Sequence, residues 1–343
     1  MKVTDITIAF ILVILPFVLV LDYRTQDTEL AIYKTVEMNK MIDAAVEDGT
    51  RNMFGKGLNG RINLDREKGY ESFIRTMCLN LNKLDDELGR LEVEGYIPCI
   101  VALDYDGYYI MKHVEYTNAS GESEIRLTWL PKQAYAYSDS NYVYSLTLGN
   151  DVTFYEKSTG NIEKGSVDQF IGTLPGSDLI MSTTSAITLE DRLRGFDTER
   201  RIIIIDQLKK DINEVINNHN DIAMYYGITY YFSLPTIEES EWLKTIDDVG
   251  LMVFFQGMPL GNTGERINKF ALGGARILKG SKYFLDTEGT DASMYSGGKV
   301  YYYHSSDTCN KLKPASIPAG GYPMRDSMAE CAKEGYFPCE YCN

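Results

Sequence analysis

Residues 6–21 (ITIAFILVILPFVLVL) form a run of sixteen positions without a charge, bounded by Asp5 and Asp22. At ~1.5 Å of rise per helical residue this run covers roughly 24 Å, slightly under the ~30 Å hydrocarbon thickness of a bilayer. Lys2 and Tyr23 flank it and can reach the interfaces. Leu21-Asp22-Tyr23-Arg24 offers none of the small residues that a signal-peptide cleavage site needs, so the run reads as an uncleaved transmembrane anchor. Pro16 is compatible with this, because neighbouring groups in a membrane helix can satisfy the freed carbonyl. Past the anchor, Leu30, Tyr33, Val36, Met41, Ala44 and Ala45 recur at three- and four-residue spacing, with no Gly or Pro until Gly49. The pattern predicts that the anchor continues without a break into an amphipathic helical stalk over residues 25–54, with Met41 and Ala45 on an associating face. Gly55, Gly57 and Gly60 then break it.

A second helix is predicted over residues 69–88, where Phe73, Met77, Leu81 and Leu84 or Leu88 share a face and Gly89 stands at the C-terminal cap position. The period then changes from 3.6 to 2. Residues 97–103 (IPCIVAL), the turn Asp104-Tyr105-Asp106-Gly107 and residues 108–114 predict a hairpin, with Asp-Gly supplying the positive φ angles of a type I′ turn. Short strands follow at 125–130, 142–148 and 152–155. A third helix is expected over 198–226, with Ile203, Leu208, Ile212, Val215 and Ile216 as its stripe. A strand over 228–234 then precedes a Thr236-x-x-Glu239 capping box that opens a short helix through Trp242 and Ile246. Residues 250–256 (GLMVFFQ) read as a buried strand. The sum is an α+β protein, a mainly antiparallel sheet with flanking helices, in four segments: the anchor at 1–23, the helical stalk and second helix at 24–96, an α+β head at 97–298, and a small zinc-knuckle-like tail at 299–343.

Charge narrows the list of partners. With 34 basic against 49 acidic side chains the net charge is −15, which repels a phosphate backbone and makes nucleic acid an unsuitable partner. The 25 tyrosines against 13 phenylalanines favour surfaces with an apolar body and a wet tip, as protein interfaces carry. Lys2 and the terminal amine before the anchor place the short tail in the cytoplasm and the large C-terminal domain outside, by the positive-inside bias. A cytoplasmic domain tethered to the inner face is the alternative.

The constellation with the most chemistry lies at the end of the chain: His304-x4-Cys309, then Cys339-x2-Cys342 behind Gly335-Tyr336-Phe337-Pro338. Tetrahedral zinc needs four soft or borderline donors, and a C-x2-C knuckle places two thiolates on one turn while a distant pair closes the site. A closed site of this kind is structural. The run Tyr303-His304, Cys309, Leu312, Ala329, Gly335-Tyr336, Pro338-Cys339 and Cys342 resembles the small zinc-binding tail module related to the metal-binding domain of the Ada DNA-repair protein. The resemblance covers about the last forty residues and implies structural Zn2+ held by His304, Cys309, Cys339 and Cys342, with Cys331 outside the ligand set. Disulfides are the alternative, pairing Cys78 with Cys99 and the four tail cysteines among themselves, with free thiols as a third. No catalytic or cofactor-binding set stands out. His113, His219 and His304 are far apart in sequence, and His219 reads as a polar position near the end of a long helix. Ser182-Thr183-Thr184-Ser185 lacks a nucleophile elbow. Asp247-Asp248 reads as a solvated helix end, and Gly261, Gly264, Gly273 and Gly274 lack the ending of a phosphate loop. Asn118-Ala119-Ser120 fits a glycosylation acceptor.

The layout of an apolar segment passing unbroken into an amphipathic helix (Leu21-Asp22-Tyr23, then residues 42–48) and on into a β-rich head resembles pilin-like and minor-pilin-like surface proteins of Gram-positive bacteria. The resemblance implies a non-enzymatic, single-pass cell-membrane protein with an extracellular head, an accessory component of a pilus or secretion apparatus. Its partners would be membrane lipid, proteins of that assembly and further copies of itself. An extracytoplasmic ligand-binding, sensor-like domain is the alternative function, and a membrane-tethered enzyme the third.

Overall fold

The structure, a computed structural model, describes residues 3–56, 62–84, 86–180, 189–260, 264–277, 283–286, 289–291, 299–304, 309, 311–312, 322–325, 328–339 and 341. Two compact units divide the chain, Met1–Ala275 and Arg276–Asn343. The first begins with helix α1 (Val3–Met53), continuous over 51 residues and including Pro16. A small ladder of β1 (Phe54–Lys56) and β2 (Ile62–Leu64) leads to helices α2 (Arg66–Asn80) and α3 (Glu87–Gly95). Strands β3 (Cys99–Asp104), β4 (Gly107–Thr117) and β5 (Ser123–Trp129) follow, then β6 (Tyr135–Ser138), β7 (Tyr142–Leu146), β8 (Asp151–Glu156) and β9 (Ile162–Ser166). The unit closes with α4 (Val167–Phe170), α5 (Leu189–Ala223), a 3-10 turn at Met224–Tyr226, α6 (Glu239–Thr245), β10 (Gly250–Pro259) and β11 (Arg266–Gly274). The fold is mixed α+β with mostly antiparallel sheets: a five-stranded sheet in the order β11-β10-β3-β4-β5 and a four-stranded meander β6-β7-β8-β9.

The larger sheet is covered on both faces, which is why residues 250–258 are all buried and read as one apolar run rather than an alternation. Leu251 pairs with Gly273 and Phe255 with Lys269, so these share one face, while Phe254 and Phe270 share the other. On the first face lies the C-terminal half of α1. Its Ile42, Ala45, Val46 and Met53 are buried, the Thr50 hydroxyl donates to the Val46 carbonyl at 2.7 Å and reaches the Gly273 carbonyl at 3.3 Å, and Lys269 pairs with Asp43 at 3.0 Å. On the second face Trp242 of α6 stacks on Phe270 with ring centroids 6.2 Å apart, and Lys209 of α5 sits over the Trp242 ring. Helix α5 also ties the two sheets together. Gln207 donates to the Tyr108 hydroxyl at 3.1 Å and to the Ala134 carbonyl at 3.0 Å while accepting from the Ala136 amide, and buried Arg200 donates to the Thr147 carbonyl at 2.8 Å.

Several expected elements differ. No helix among the described residues is long and apolar enough to cross a membrane. The side chains described from Phe10 onward stay apolar only to Leu21, and Asp22, Arg24 and Asp27 follow within two turns. Ala45 is fully buried and Met41 half-buried, so the stalk positions expected to associate with partners instead pack inside the unit. The second helix stops at Asn80, because Asn82 takes the left-handed conformation (φ 55°) and the Lys83 amide turns back to Cys78. Gly89 consequently lies inside α3 rather than at a cap. In the hairpin the two loop residues are Tyr105 and Asp106 and neither has a positive φ; Gly107 alone does, so the turn is not type I′. Residues 228–234 form no strand. The Asn220 side chain donates to the Phe232 carbonyl and accepts from its amide, and Gln256 does the same for Ser233. Side chains thus supply the hydrogen bonds that a neighbouring strand would have supplied. Helix α6 starts at Glu239 with Glu238 at its N-cap, without a capping bond from Thr236.

The sequence separated His113 and His219, but β4 and α5 bring their buried rings to 4.7 Å between centroids. His219 Nε2–H donates to the Gly95 carbonyl at 3.1 Å, and the Phe232 ring packs edge-on at 4.5 Å. His219 is therefore a core residue and not a polar helix end. Burial, helped by the neighbouring His219, lowers the His113 pKa to about 3, and burial lowers that of His219 to about 4. Both rings are neutral in the folded state, whereas unfolded histidine takes a proton near pH ~6.5. The unfolded chain thus binds more protons between pH ~6.5 and the lowered values, and stability falls as the pH drops through that window.

Two measurements check this packing. Urea unfolding from pH 6.5 to 5 should show stability falling with a slope per histidine that rises from about 0.7 toward about 1.4 kcal/mol per pH unit, and His113→Leu should remove about one proton from the slope near pH 5. A side chain at Gly273 would place its Cβ 2.1 Å from Thr50 Oγ1 and 3.0 Å from the Val46 carbonyl oxygen. Gly273→Ala should cost about 1–3 kcal/mol of unfolding free energy, part of it recovered on adding Thr50→Ala.

Candidate metal centre

The second unit has a four-stranded sheet in the order β16-β12-β15-β17 beside a two-stranded ladder of β13 (Thr290–Asp291) and β14 (Lys299–Val300). Its sheet comprises β12 (Tyr283–Leu285), β15 (Tyr302–His304), β16 (Met324–Arg325) and β17 (Phe337–Pro338), and helix α7 (Met328–Lys333) precedes β17. β15 pairs antiparallel with β12 and parallel with β17, with Tyr303 opposite Pro338. That pairing decides the site. The Cys339 amide donates to the Tyr303 carbonyl at 3.0 Å, so the first residue after β17 comes to rest beside the last residue of β15, His304. Gly335 makes the approach: at φ 87° it ends α7, its amide donates to Ala332, and the Tyr336 amide returns to Cys331.

His304, Cys309 and Cys339 each present one donor atom, and these atoms lie within 4.8 Å of one another. Among the described residues this is the one group of three or more His, Cys, Asp or Glu side chains so arranged. The two sulfurs are 4.0 Å apart. Two thiolates ~2.3 Å from a zinc ion at the tetrahedral angle stand ~3.8 Å apart, so the pair fits two corners of a metal site, whereas a disulfide would need ~2.05 Å. His304 and Cys339 are buried and Cys309 is half-buried. Burial lowers the His304 pKa against the opposing effect of Asp286, which favours the neutral imidazole that can ligate. Cys342, the fourth expected ligand, lies outside the described residues. Cys331 is buried in a small apolar cluster with Tyr283, Leu285 and Tyr303, flanked by Tyr336. Cys78 and Cys99 are separate buried thiols, so the expected alternative of a bridge between them is not formed.

Other positions singled out in the sequence have structural roles. Asp247 pairs with Arg201 at 2.8 Å, and buried Asp248 accepts from the Val249 amide, so this pair is not a solvated helix end. Asn118 caps the β4–β5 turn by accepting from the amides of Ser120 and Glu122. The Ser182–Ser185 stretch and Gly261 lie outside the described residues.

Purified full-length protein should carry close to one zinc per chain by elemental analysis. Cys339→Ser should abolish it and expose the tail to proteolysis, while Cys331→Ala should leave the metal content unchanged. Absence of zinc, with a mass deficit matching oxidised cysteine pairs, would favour disulfides instead.

No family model, no curated protein and no solved structure matches this chain.

Proposed function

We propose that the chain is a non-enzymatic, membrane-anchored surface protein with its head outside the cell, an accessory, pilin-like component of a pilus or secretion apparatus. The observation that carries this reading is the division of labour along α1. Its C-terminal half is a buried element of the head, while Phe10, Leu12, Val13, Phe17 and Leu19 near its start are each more than half exposed. A contiguous apolar surface of this kind marks a partner or a membrane. The uncharged run of residues 6–21 covers roughly 24 Å, short of a typical spanning helix as the fold shows, so insertion would draw on local thinning of the bilayer. Lateral association then falls to the exposed middle of the helix, where Leu30, Ile32, Tyr33 and Val36 face outward. The tail reads as a structural Zn2+ module: its own apolar cluster is small, and zinc held by His304, Cys309, Cys339 and Cys342 would supply folding free energy that such a core lacks.

A second reading, a ligand-binding sensor-like head, draws on a cavity of about 480 Å3 beside the start of α5. Its walls include Val167, Ile171, Ile180 and Phe196, with Arg192 and Arg194 among the lining residues. Asp178 and Glu199 line it as well, so the charges balance and the cavity suits a small amphipathic molecule rather than one of a given charge.

The readings separate in one set of measurements. The full chain should float with membranes, Leu15→Arg with Val18→Arg should release it as a folded soluble protein, and protease added to wall-stripped cells should digest the head. Cross-linking through Tyr33→Cys to a pilin subunit or a secretion component supports the assembly role. A full chain that stays soluble overturns the anchor, and thermal stabilisation by small amphipathic compounds that Ile180→Trp abolishes favours the sensor.

A further inference from the structure

β12 and β15 set Phe284 opposite His304 and Leu285 opposite Tyr303, and the ladder runs one step further through the Asp286 amide, which donates to the Tyr302 carbonyl at 2.9 Å. Because side chains alternate across a sheet, Leu285 and Tyr303 share the face that carries the apolar cluster, whereas Phe284, Asp286, Tyr302 and His304 share the other. Asp286 and His304 are thus diagonal neighbours on one face, a separation that a carboxylate and an imidazole can bridge. Both are buried, at 3% and 1% exposure. A carboxylate kept out of water needs a positive or hydrogen-bonding partner. Asp286 is not one of the three side chains whose donor atoms converge.

We infer that Asp286 is the positioning residue of the metal centre, the carboxylate that accepts the second ring N–H of His304. In that role it holds one tautomer and one ring orientation toward Cys309 and Cys339, and makes the imidazole a stronger donor. The inference rests on the reading that these side chains hold a metal. It adds a member to the site that neither the ligand spacing nor the cysteine pattern points to.

The test uses the full-length protein in detergent, titrated with Co2+ and followed by the thiolate-to-cobalt absorption, with a competing chelator to fix affinity. Asp286→Asn should weaken binding by about 10- to 100-fold while the fully loaded variant keeps the thiolate absorption of the wild type. In a His304→Cys background the same substitution should change affinity less than about twofold, because there is no imidazole left to orient. In 15N-histidine spectra of the zinc form, one ring N–H of His304 should be protected from exchange in the wild type and lose that protection in Asp286→Asn. Equal affinity of wild type and Asp286→Asn, an equal loss in both backgrounds, or unchanged ring protection would overturn the role of Asp286 while leaving the metal centre standing. Wild-type protein that takes up no cobalt would overturn both.

Discussion

The close approach of α1 to the edge of the large sheet is the constraint on which the first unit depends. Thr50 lies so near Gly273 that no side chain fits there, and the same stretch of helix contributes Ile42, Ala45, Val46 and Met53 to the core. Burial of these side chains gives the helix its stability through tertiary packing rather than propensity, since an isolated helix of this composition gains little alone. The consequence reaches along the helix. Once its C-terminal half is locked to β10 and β11, the unbroken backbone carries the exposed apolar residues from Phe10 to Leu21 on a stiff extension, about 1.5 Å further out for each residue.

On the opposite face, α5 and α6 cover the sheet, and polar side chains solve the problems that helix and strand ladders leave. Asn220 and Gln256 satisfy the backbone at Phe232 and Ser233, so an extended segment lies against the core without joining a sheet. The His113–His219 contact sits in the same region, held neutral by burial. Buried amides and imidazoles cost little when each finds a partner, and they favour one arrangement of the chain over others of similar hydrophobic content.

In the second unit the order of events is reversed: backbone pairing comes first and the donor cluster follows from it. A parallel pairing over two residue pairs is weak by itself, yet it is what brings Cys339 beside His304. A metal ion bound by the converging donors would stabilise that pairing in return, which is how a segment with so few buried apolar residues can hold a fixed shape.

Much of this architecture was legible in the amino-acid sequence. The continuous helix at the start follows from a long stretch without Gly and with Pro16 alone, and the strand β10 from an uninterrupted apolar run, because each signal is local; the spacing named His304, Cys309 and Cys339 as ligands, but the β15–β17 pairing is what brings them together. Tertiary structure decided the rest. The face of α1 that would be free was set by the sheet it packs on, so Ala45 went inside although its spacing suited a partner helix. Residues 228–234 have strand composition but no strand beside them. His113 and His219 are more than a hundred positions apart and meet only because α5 crosses β4, and Asp286 comes onto the face of His304 through the register of β12 against β15. Spacing along the chain reports neighbours on one turn or one strand; pairings between distant elements depend on register and packing, which no local pattern encodes.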